Sequence, residues 1–177
     1  MDLRFSKEEE AFRKELVDFL DKEVPPEMQA DYDGLDLSPE QFEFAGAFDK
    51  KLAAKGWLCM HWSKEYGGQA ASITQQVVFN EEMGYRRVPS RSSMGINIVG
   101  PAIMLYGNEG QKKRYLSAIS RGESEWCQGF SEPDSGSDLA SLRTKAVEDG
   151  DHYVINGQKI WSSRAHHASY CWLLART

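Results

Sequence analysis

The chain has 177 residues, of which 41% are hydrophobic and 27% charged, a balance typical of one large or two small globular domains. Its 21 Lys and Arg against 27 Asp and Glu give a net charge of −6. No basic block occurs, which argues against a surface for nucleic-acid phosphates or for anionic lipid.

Four segments in the first two thirds of the chain carry the start and stop signals of helices. Three begin with a capping box, in which a Ser side chain and a Glu or Gln three residues later bond each other's backbone N–H groups. Apolar residues then recur at helical spacing until Pro or Gly ends the pattern. The predicted helices begin at Ser6, Ser38, Ser72 and Asn108, and end before Pro25, Gly56, near Gly84 and before Gly122.

Between the third and fourth of these helices, residues 94–106 are apolar on most sides of a helical projection. A helix that is hydrophobic all round is normally buried. We therefore expect a helix here that is covered on every side by the other helices.

After Gly122 the hydrophobic pattern changes from helical to alternating, which predicts strands. The segment 126–131 is one strand, and 143–147 with 152–155 forms a hairpin. Asn156-Gly157 is a strong hairpin turn signal that leads into a strand at 158–161. The last predicted strand is 169–175.

This layout predicts an α+β protein. An all-α helical bundle in residues 1–122 is followed by a partial antiparallel β-domain in residues 123–177. Four or five strands are few for a sandwich or a barrel, so the β-domain is expected to be incomplete.

Targeting and redox signals favour the cytoplasm. The most apolar stretch, 94–107, is shorter than the ~20 residues of a membrane-spanning helix. The first ten residues have no hydrophobic signal-peptide core and are too acidic for a transit peptide. Three widely spaced cysteines, Cys59, Cys127 and Cys171, predict neither a disulfide framework nor a zinc site.

The segment 130–138, with sequence FSEPDSGSD, is the most promising candidate for a site. It leaves a strand and combines hydroxyls, carboxylates and Gly136 before the next strand. Its backbone amides and Ser hydroxyls could hold carbonyl or phosphate oxygens of a cofactor, although a plain polar loop has the same composition. Trp161 followed by two serines is a second candidate. It fits either a ring that stacks on a planar cofactor or a core Trp before a turn.

Other polar groups favour no site. The adjacent pair His166-His167 is better explained as a solvated loop than as metal ligands, because neighbouring side chains rarely point at one ion. No spacing typical of a catalytic triad or of a phosphate-binding glycine loop is present.

Several motifs in the same order resemble the acyl-CoA dehydrogenase family. They are WCQGFSEPDSGSD at 126–138, LRTKA at 142–146, INGQKIW at 155–161 and the terminal WLLART, with EYGG at 65–68, EEMG at 81–84 and YGNEGQKKRYL at 106–116. The similarity spans the chain, and separate motifs at matching spacing are more specific than any one of them.

The resemblance implies an FAD-dependent oxidoreductase of fatty acid and lipid metabolism. In this family a carboxylate removes the α-proton of an acyl-CoA thioester while a hydride leaves the β-carbon for flavin N5, which gives a trans-2-enoyl-CoA. Electrons then pass to an electron-transferring flavoprotein. A homo- or hetero-oligomer is also implied.

The resemblance assigns roles to nine residues. By their positions in the motifs, Ser131 and the backbone amide of Phe130 correspond to groups at the flavin's pyrimidine edge. Trp161 corresponds to the aromatic residue against the flavin ring, and Ser163 to the hydroxyl near N5. The remaining assignments are Gly136 in the loop against FAD and the CoA arm, Ser137 near the pantetheine or phosphate end, and Ile98, Val99 and Gly100 in the helix that lines the acyl-chain pocket.

Departures from the family pattern concern side-chain shape. Ser131 and Ser163 stand where many members have Thr, and Gln128 where many have Tyr or another bulky group. The last change alters the expected acyl pocket. The combination of Trp-Cys-Gln at 126–128 with Trp-Ser-Ser at 161–163 most resembles bacterial members of the family that act on unusual acyl groups, such as dicarboxyl or steroid side-chain thioesters.

The family's C-terminal helical bundle, which carries its catalytic base, has no counterpart in the 177 residues. We therefore expect no catalytic residue in this chain and no activity of the chain alone. Two alternatives stay open: a non-catalytic scaffold or partner subunit of a heteromeric complex, and a related flavin-dependent acyl-CoA oxidase or monooxygenase.

Overall fold

The computed structural model describes residues 4–29, 37–90 and 93–177. The chain divides into two compact units, a helical unit within residues 1–123 and a β unit in residues 124–177. This combination confirms the predicted α+β class.

The first three long helices of the helical unit begin at the predicted capping boxes. They are α1 (Lys7–Glu23), α2 (Pro39–Ala54) and α3 (Ile73–Tyr85). In each, the Ser Oγ accepts the N–H three residues on, and the side chain at that position accepts the Ser N–H in return. Local hydrogen bonds therefore fix where these helices start.

The second half of the helical unit alternates between α- and π-helical geometry. A π-helical segment, Gly95–Val99, continues into α4 (Gly100–Tyr106). Asn108 caps α5 (Glu109–Gln111), which continues through a second π-helical segment, Lys112–Leu116, into α6 (Ser117–Ser120). The sequence pattern predicts the extent of both helices but not their π-helical parts.

The core of the helical unit is formed by apolar side chains from every long helix. Leu16, Phe48, Val78 and Ile119 are among the fully buried side chains. Charged groups join α1 and α3 at the surface, where the Arg13 guanidinium binds the carboxylates of two glutamates of α3.

The helix at residues 94–106 is only partly covered, so the expectation that every side is buried is wrong. Val99 and Ile103, one turn apart, are buried, whereas Ile98, Leu105 and Tyr106 are 42%, 74% and 86% exposed in this unit. Hydropathy alone does not tell which side of an apolar helix has a neighbour.

Trp62 fixes the register of the first π-helical segment, and we call this arrangement the Trp62 clamp. The Gly100 N–H bonds the Gly95 carbonyl five residues back, so the Ile96 carbonyl would accept from residue 101. Residue 101 is proline, which has no N–H. The buried Trp62 indole N–H donates to the Ile96 carbonyl instead, at 3.0 Å. Its ring lies against Gly100, where a Cβ would overlap it.

The β unit contains four short strands in two separate pairs. They are β1 (Trp126–Gly129), β2 (Lys145–Asp149), β3 (His152–Asn156) and β4 (Tyr170–Leu173). The pair β2–β3 is the predicted antiparallel hairpin, whereas β1 and β4 pair in parallel, contrary to the expected antiparallel arrangement.

The segment 158–161 is irregular, so the strand predicted there is wrong. The Ile160 N–H bonds the Ser131 carbonyl at 2.9 Å, and Trp161 has a left-handed backbone with φ of 57°. A residue in that conformation cannot continue a strand.

The three cysteines are free thiols; Cys127 and Cys171 are partners in the β1–β4 register. Of the helices in the described parts of the chain, none combines the length and the apolar character that crossing a bilayer requires.

Candidate functional site

Glu132 holds together the candidate loop of the β unit. Its carboxylate accepts the backbone N–H groups of Arg143 and Thr144 at 2.6 and 2.8 Å, and the Lys159 ammonium at 2.9 Å. Lys159 also donates to the Phe130 carbonyl at 2.9 Å. The side chains of this ion pair are only 12% and 7% exposed. The segments around residues 130, 144 and 159 are thereby fixed to one another.

The same contacts keep Glu132 ionised. The Thr144 hydroxyl, the Arg143 N–H and the Lys159 ammonium lower the pKa of Glu132 from its ordinary 4.5 to about 2. A carboxyl group with so low a pKa is a poor proton acceptor at neutral pH. Glu132 therefore positions the loop and is unsuited to act as a base.

The β unit is expected to lose stability in acid because Glu132 must be protonated. Its pKa is lower in the folded than in the unfolded chain, so its contribution is complete above about pH 5 and is lost as the pH falls from about 4.5 to about 2. Glu132→Gln should remove that part of the pH dependence. Urea unfolding, followed through amide NMR signals of residues 124–177, measures it.

The matched control is Asp134→Asn, because Asp134 is exposed and lies 3.7 Å from Arg143. This variant should retain the wild-type pH dependence. If Glu132→Gln and the wild type lost equal stability between about pH 5 and pH 3, the assigned role of Glu132 would be wrong.

Ser131 and Trp161 lie on neighbouring stretches of chain. The bond from the Ile160 N–H to the Ser131 carbonyl places the residue before Trp161 directly beside Ser131. The Trp161 side chain is 86% exposed, which rules out the core Trp considered from the sequence. Non-glycine residues in strained backbone conformations cluster at functional positions, so Trp161 remains a candidate site residue.

The loop after Ser131 turns back on itself and then opens. Glu132 and Ser135 exchange two backbone hydrogen bonds, and the buried Ser135 hydroxyl donates to the Asp138 carbonyl at 2.9 Å. Gly136 and Ser137 lie exposed between these anchors, and a Cβ at Gly136 would meet no atom within 4 Å. A rigid base therefore presents two small residues with free space around them.

Ser163 and the two histidines follow Trp161 in a turn. The Ser163 N–H bonds the Trp161 carbonyl at 3.0 Å, and the Ser163 side chain is exposed. The rings of His166 and His167 have centroids 3.9 Å apart. Among the residues with described positions, no cluster of three potential metal ligands occurs.

The helical unit contains a groove of about 720 Å³. Its apolar surface includes Leu58, Met60, Phe79, Met83 and Ile96. This volume is within the ~300–1,000 Å³ range of small-molecule sites.

The three residues predicted to line an acyl pocket have different environments. Val99 is fully buried, Gly100 packs on the Trp62 ring and Ile98 is exposed, whereas their neighbours Ile96 and Asn97 line the groove. Their substrate role stays a prediction.

The sequence reasoning missed Lys159 and the polar residues of the groove. Lys159 is part of a polar turn whose sequence gives no sign of a buried partner. The groove is built from side chains far apart along the chain, from Leu52 to Asn97. No local pattern could have brought them together.

Two family models match the chain. "Acyl-CoA dehydrogenase, N-terminal domain" matches residues 6–123, and "Acyl-CoA dehydrogenase, middle domain" matches residues 127–177.

Relatives of known name or structure match over the full chain. "Acyl-CoA dehydrogenase FadE26" of Mycobacterium tuberculosis is 37% identical over 100% of this chain and 44% of the relative. The structure described as the ChsE4-ChsE5 complex from Mycobacterium tuberculosis has a TM-score of 0.85 and 38% identity, and covers 100% of this chain and 44% of its own. The structure described as "Tcur3481-Tcur3483 steroid ACAD" has a TM-score of 0.87 and 40% identity, and covers 100% and 45%. The chain thus spans less than half the length of these relatives.

Proposed function

The chain belongs to the acyl-CoA dehydrogenase family, and on that basis we propose that it forms part of an FAD-dependent enzyme that converts an acyl-CoA to a trans-2-enoyl-CoA. The observation that carries this proposal is the exposed side chain of Trp161, which directly follows Ile160, the residue whose N–H bonds the Ser131 carbonyl.

Three features of the β unit support a flavin site. Trp161 offers a large exposed aromatic surface on a backbone held in an unusual conformation. The neighbouring Ser131 offers a hydroxyl, and Gly136 leaves room for close approach to the backbone. Flat aromatic contact combined with few polar groups is the usual chemistry of a cofactor pocket.

We assign the following roles to these residues. The Ser131 hydroxyl and the Phe130 N–H bind the pyrimidine edge, and the Trp161 ring packs on the flavin and excludes water. The Ser163 hydroxyl donates near N5, and Ser137 binds the pantetheine or phosphate end of the CoA. When bound, FAD supplies the acceptor for the hydride that leaves the β-carbon.

The α-proton needs a carboxylate base, and this loop does not offer a suitable one. Glu132 is committed to Lys159 and to two backbone N–H groups. Asp134 and Asp138 are exposed to solvent on the surface of the β unit, not held in a pocket. We therefore propose that the base comes from outside residues 1–177.

The name of the 40% identical structure supports a steroid-derived acyl group as the substrate class. An electron-transferring flavoprotein is the proposed electron acceptor.

A second candidate function is that of a subunit in a heteromeric assembly, which performs no chemistry by itself. The names of the two similar structures each pair two proteins, which supports this candidate. The hairpin β2–β3 also exposes Val147, Tyr153 and Ile155 within the β unit.

Trp161→Ala should weaken FAD binding about 2- to 13-fold in a protein that carries the complete middle domain. This range corresponds to the ~0.5–1.5 kcal/mol of an aromatic stacking pair beyond its buried area. A titration of FAD fluorescence measures the dissociation constant. Trp161→Phe should retain most of the affinity.

Tyr153→Ala is the matched control, because Tyr153 is an exposed aromatic residue of the hairpin. It should bind FAD as the wild type does. If the wild type and Trp161→Ala bound FAD with equal affinity, the proposed contact of Trp161 with the flavin would be wrong.

A further inference from the structure

Two consecutive backbone N–H groups, those of Phe130 and Ser131, follow the end of β1. Both residues are half-buried, and within the parts of the chain that the structure describes neither N–H has a hydrogen-bond acceptor. A backbone donor that is partly withdrawn from water normally has a partner. These two groups are therefore available to a ligand of the β unit.

The peptide units that carry these two N–H groups differ in what their carbonyls accept. The Phe130 N–H shares its peptide unit with the Gly129 carbonyl, which accepts the neutral Leu174 N–H at 3.1 Å. The Ser131 N–H shares its peptide unit with the Phe130 carbonyl, which accepts the Lys159 ammonium at 2.9 Å. A charged donor draws electrons toward the carbonyl oxygen and so strengthens the N–H of the same unit as a donor. The Ser131 N–H is therefore the stronger donor of the two.

Burial preserves the effect of the Lys159 charge. The side chains of Lys159 and Glu132 are 12% and 7% exposed, so solvent and salt screen them weakly. The Glu132 carboxylate accepts from the same ammonium at 2.9 Å, which holds Lys159 in place and offsets part of its charge. Burial raises the pKa of the Cys171 thiol to about 11, so this neighbour of Lys159 adds no charge at neutral pH. Two opposed charges thus set the strength of the Ser131 N–H.

We propose that Lys159 is a positioning residue for the flavin, which acts through the Phe130–Ser131 peptide unit and makes the Ser131 N–H a strong donor to the pyrimidine edge. The inference rests on the proposed function, because it concerns the same edge of the cofactor. Reduction of FAD adds negative charge at this edge, so a stronger donor there favours the reduced form. Glu132 has the opposite effect, since its carboxylate offsets the ammonium.

Two variants isolate the ammonium without leaving an unpaired buried carboxylate. Glu132→Gln removes the negative charge and retains one oxygen that can accept from Lys159 and from the Thr144 N–H. Glu132→Gln/Lys159→Met removes both charges, and replacement of a buried ion pair by neutral side chains of similar size is often tolerated. The matched control is Glu132→Gln/Lys145→Met, because Lys145 is an exposed lysine of β2.

NMR of the 177-residue chain without FAD measures the polarisation of each peptide unit. Relative to Glu132→Gln, the variant without Lys159 should shift the Phe130 carbonyl carbon and the Ser131 amide nitrogen upfield. The Gly129 carbonyl carbon and the Phe130 amide nitrogen should shift less, because their unit accepts a neutral N–H. The Lys145 control should leave all four signals in place. Equal shifts in the two units, or no shift in either, would overturn the proposal.

The flavin potential tests whether the donor acts on the cofactor. In the FAD-loaded protein with a complete middle domain, loss of Lys159 from Glu132→Gln should weaken binding of reduced relative to oxidised FAD about 2- to 20-fold. This ratio lowers the midpoint potential by about 10–40 mV. Glu132→Gln alone should raise the potential above that of the wild type. A merely structural role would weaken both redox forms alike, and an unchanged potential would overturn the proposal.

Failure of this inference is distinguishable from failure of the proposed function. If the completed protein binds FAD with the same potential in the presence and absence of Lys159, the role of Lys159 alone is wrong. If the NMR signals shift as expected while the completed protein binds no FAD, the proposed function is wrong, and with it the ligand of the Ser131 N–H.

Discussion

Acyl-CoA thioesters are expected to leave FAD oxidised when they are mixed with the 177-residue chain alone. The reaction needs a base on one side of the α-carbon and flavin N5 on the other. A positioned base contributes about 10²–10⁴-fold to the rate, and correct placement of the reactants contributes more. Glu132, the buried carboxylate of the candidate loop, has a pKa of about 2 and is bonded to Lys159.

Anaerobic mixing of the chain, FAD and a panel of acyl-CoAs, with flavin bleaching as the readout, checks this expectation. Addition of the relatives' remaining segment or of a partner subunit is the positive control. Bleaching by the chain alone would place the base within residues 1–177. Asp134→Asn and Asp138→Asn would then identify which exposed carboxylate is responsible.

Gly100→Ala is expected to destabilise the helical unit by about 1–3 kcal/mol, although alanine is the better helix former. A Cβ at residue 100 would overlap the Trp62 ring. The ring cannot move away without breaking the bond from its indole N–H to the Ile96 carbonyl. Proline at residue 101 has no backbone N–H that could take the place of the indole.

Gly84→Ala is the matched control, since Gly84 is also helical and a Cβ there meets nothing within 4 Å. It should stabilise the unit by about 0.5–1 kcal/mol. Urea unfolding gives both free energies. If Gly100→Ala raised the free energy of unfolding as Gly84→Ala does, the Trp62 clamp would not fix this helix.

Features that depend on a few neighbouring residues could be predicted from the sequence. The boxes at Ser6, Ser38 and Ser72 are confirmed because each requires only residues three apart. The hairpin β2–β3 is predicted for the same reason, since a short polar turn joins two alternating segments.

Features that depend on distant partners were missed. The π-helical segment at Gly95–Val99 is bonded by Trp62, and the register of residues 158–161 follows from the ion pair of Lys159 with Glu132. The parallel pairing of β1 with β4 joins the two ends of the β unit. Neither an alternating hydrophobic pattern nor the identity of turn residues indicates which distant residue will be a partner.

The candidate site in the β unit could be predicted in part. Its loop stands out by composition, and the motifs associate it with Trp161. The sequence does not reveal that Trp161 is exposed with a left-handed backbone, or that Glu132 forms an ion pair with Lys159. The groove of the helical unit has no local signature, because its donors come from separate elements.

The parallel pairing of β1 with β4 also orders the folding of the β unit in time. The register partners Trp126 and Tyr170 are separated by about 44 residues, and closing such a loop costs about 3 kcal/mol of chain entropy. The hairpin β2–β3 closes over a two-residue turn and forms within about 1–10 μs. During synthesis on a ribosome, therefore, the hairpin forms before the β1–β4 pair. Strand β1 emerges early but cannot pair with β4 until β4 has been synthesised.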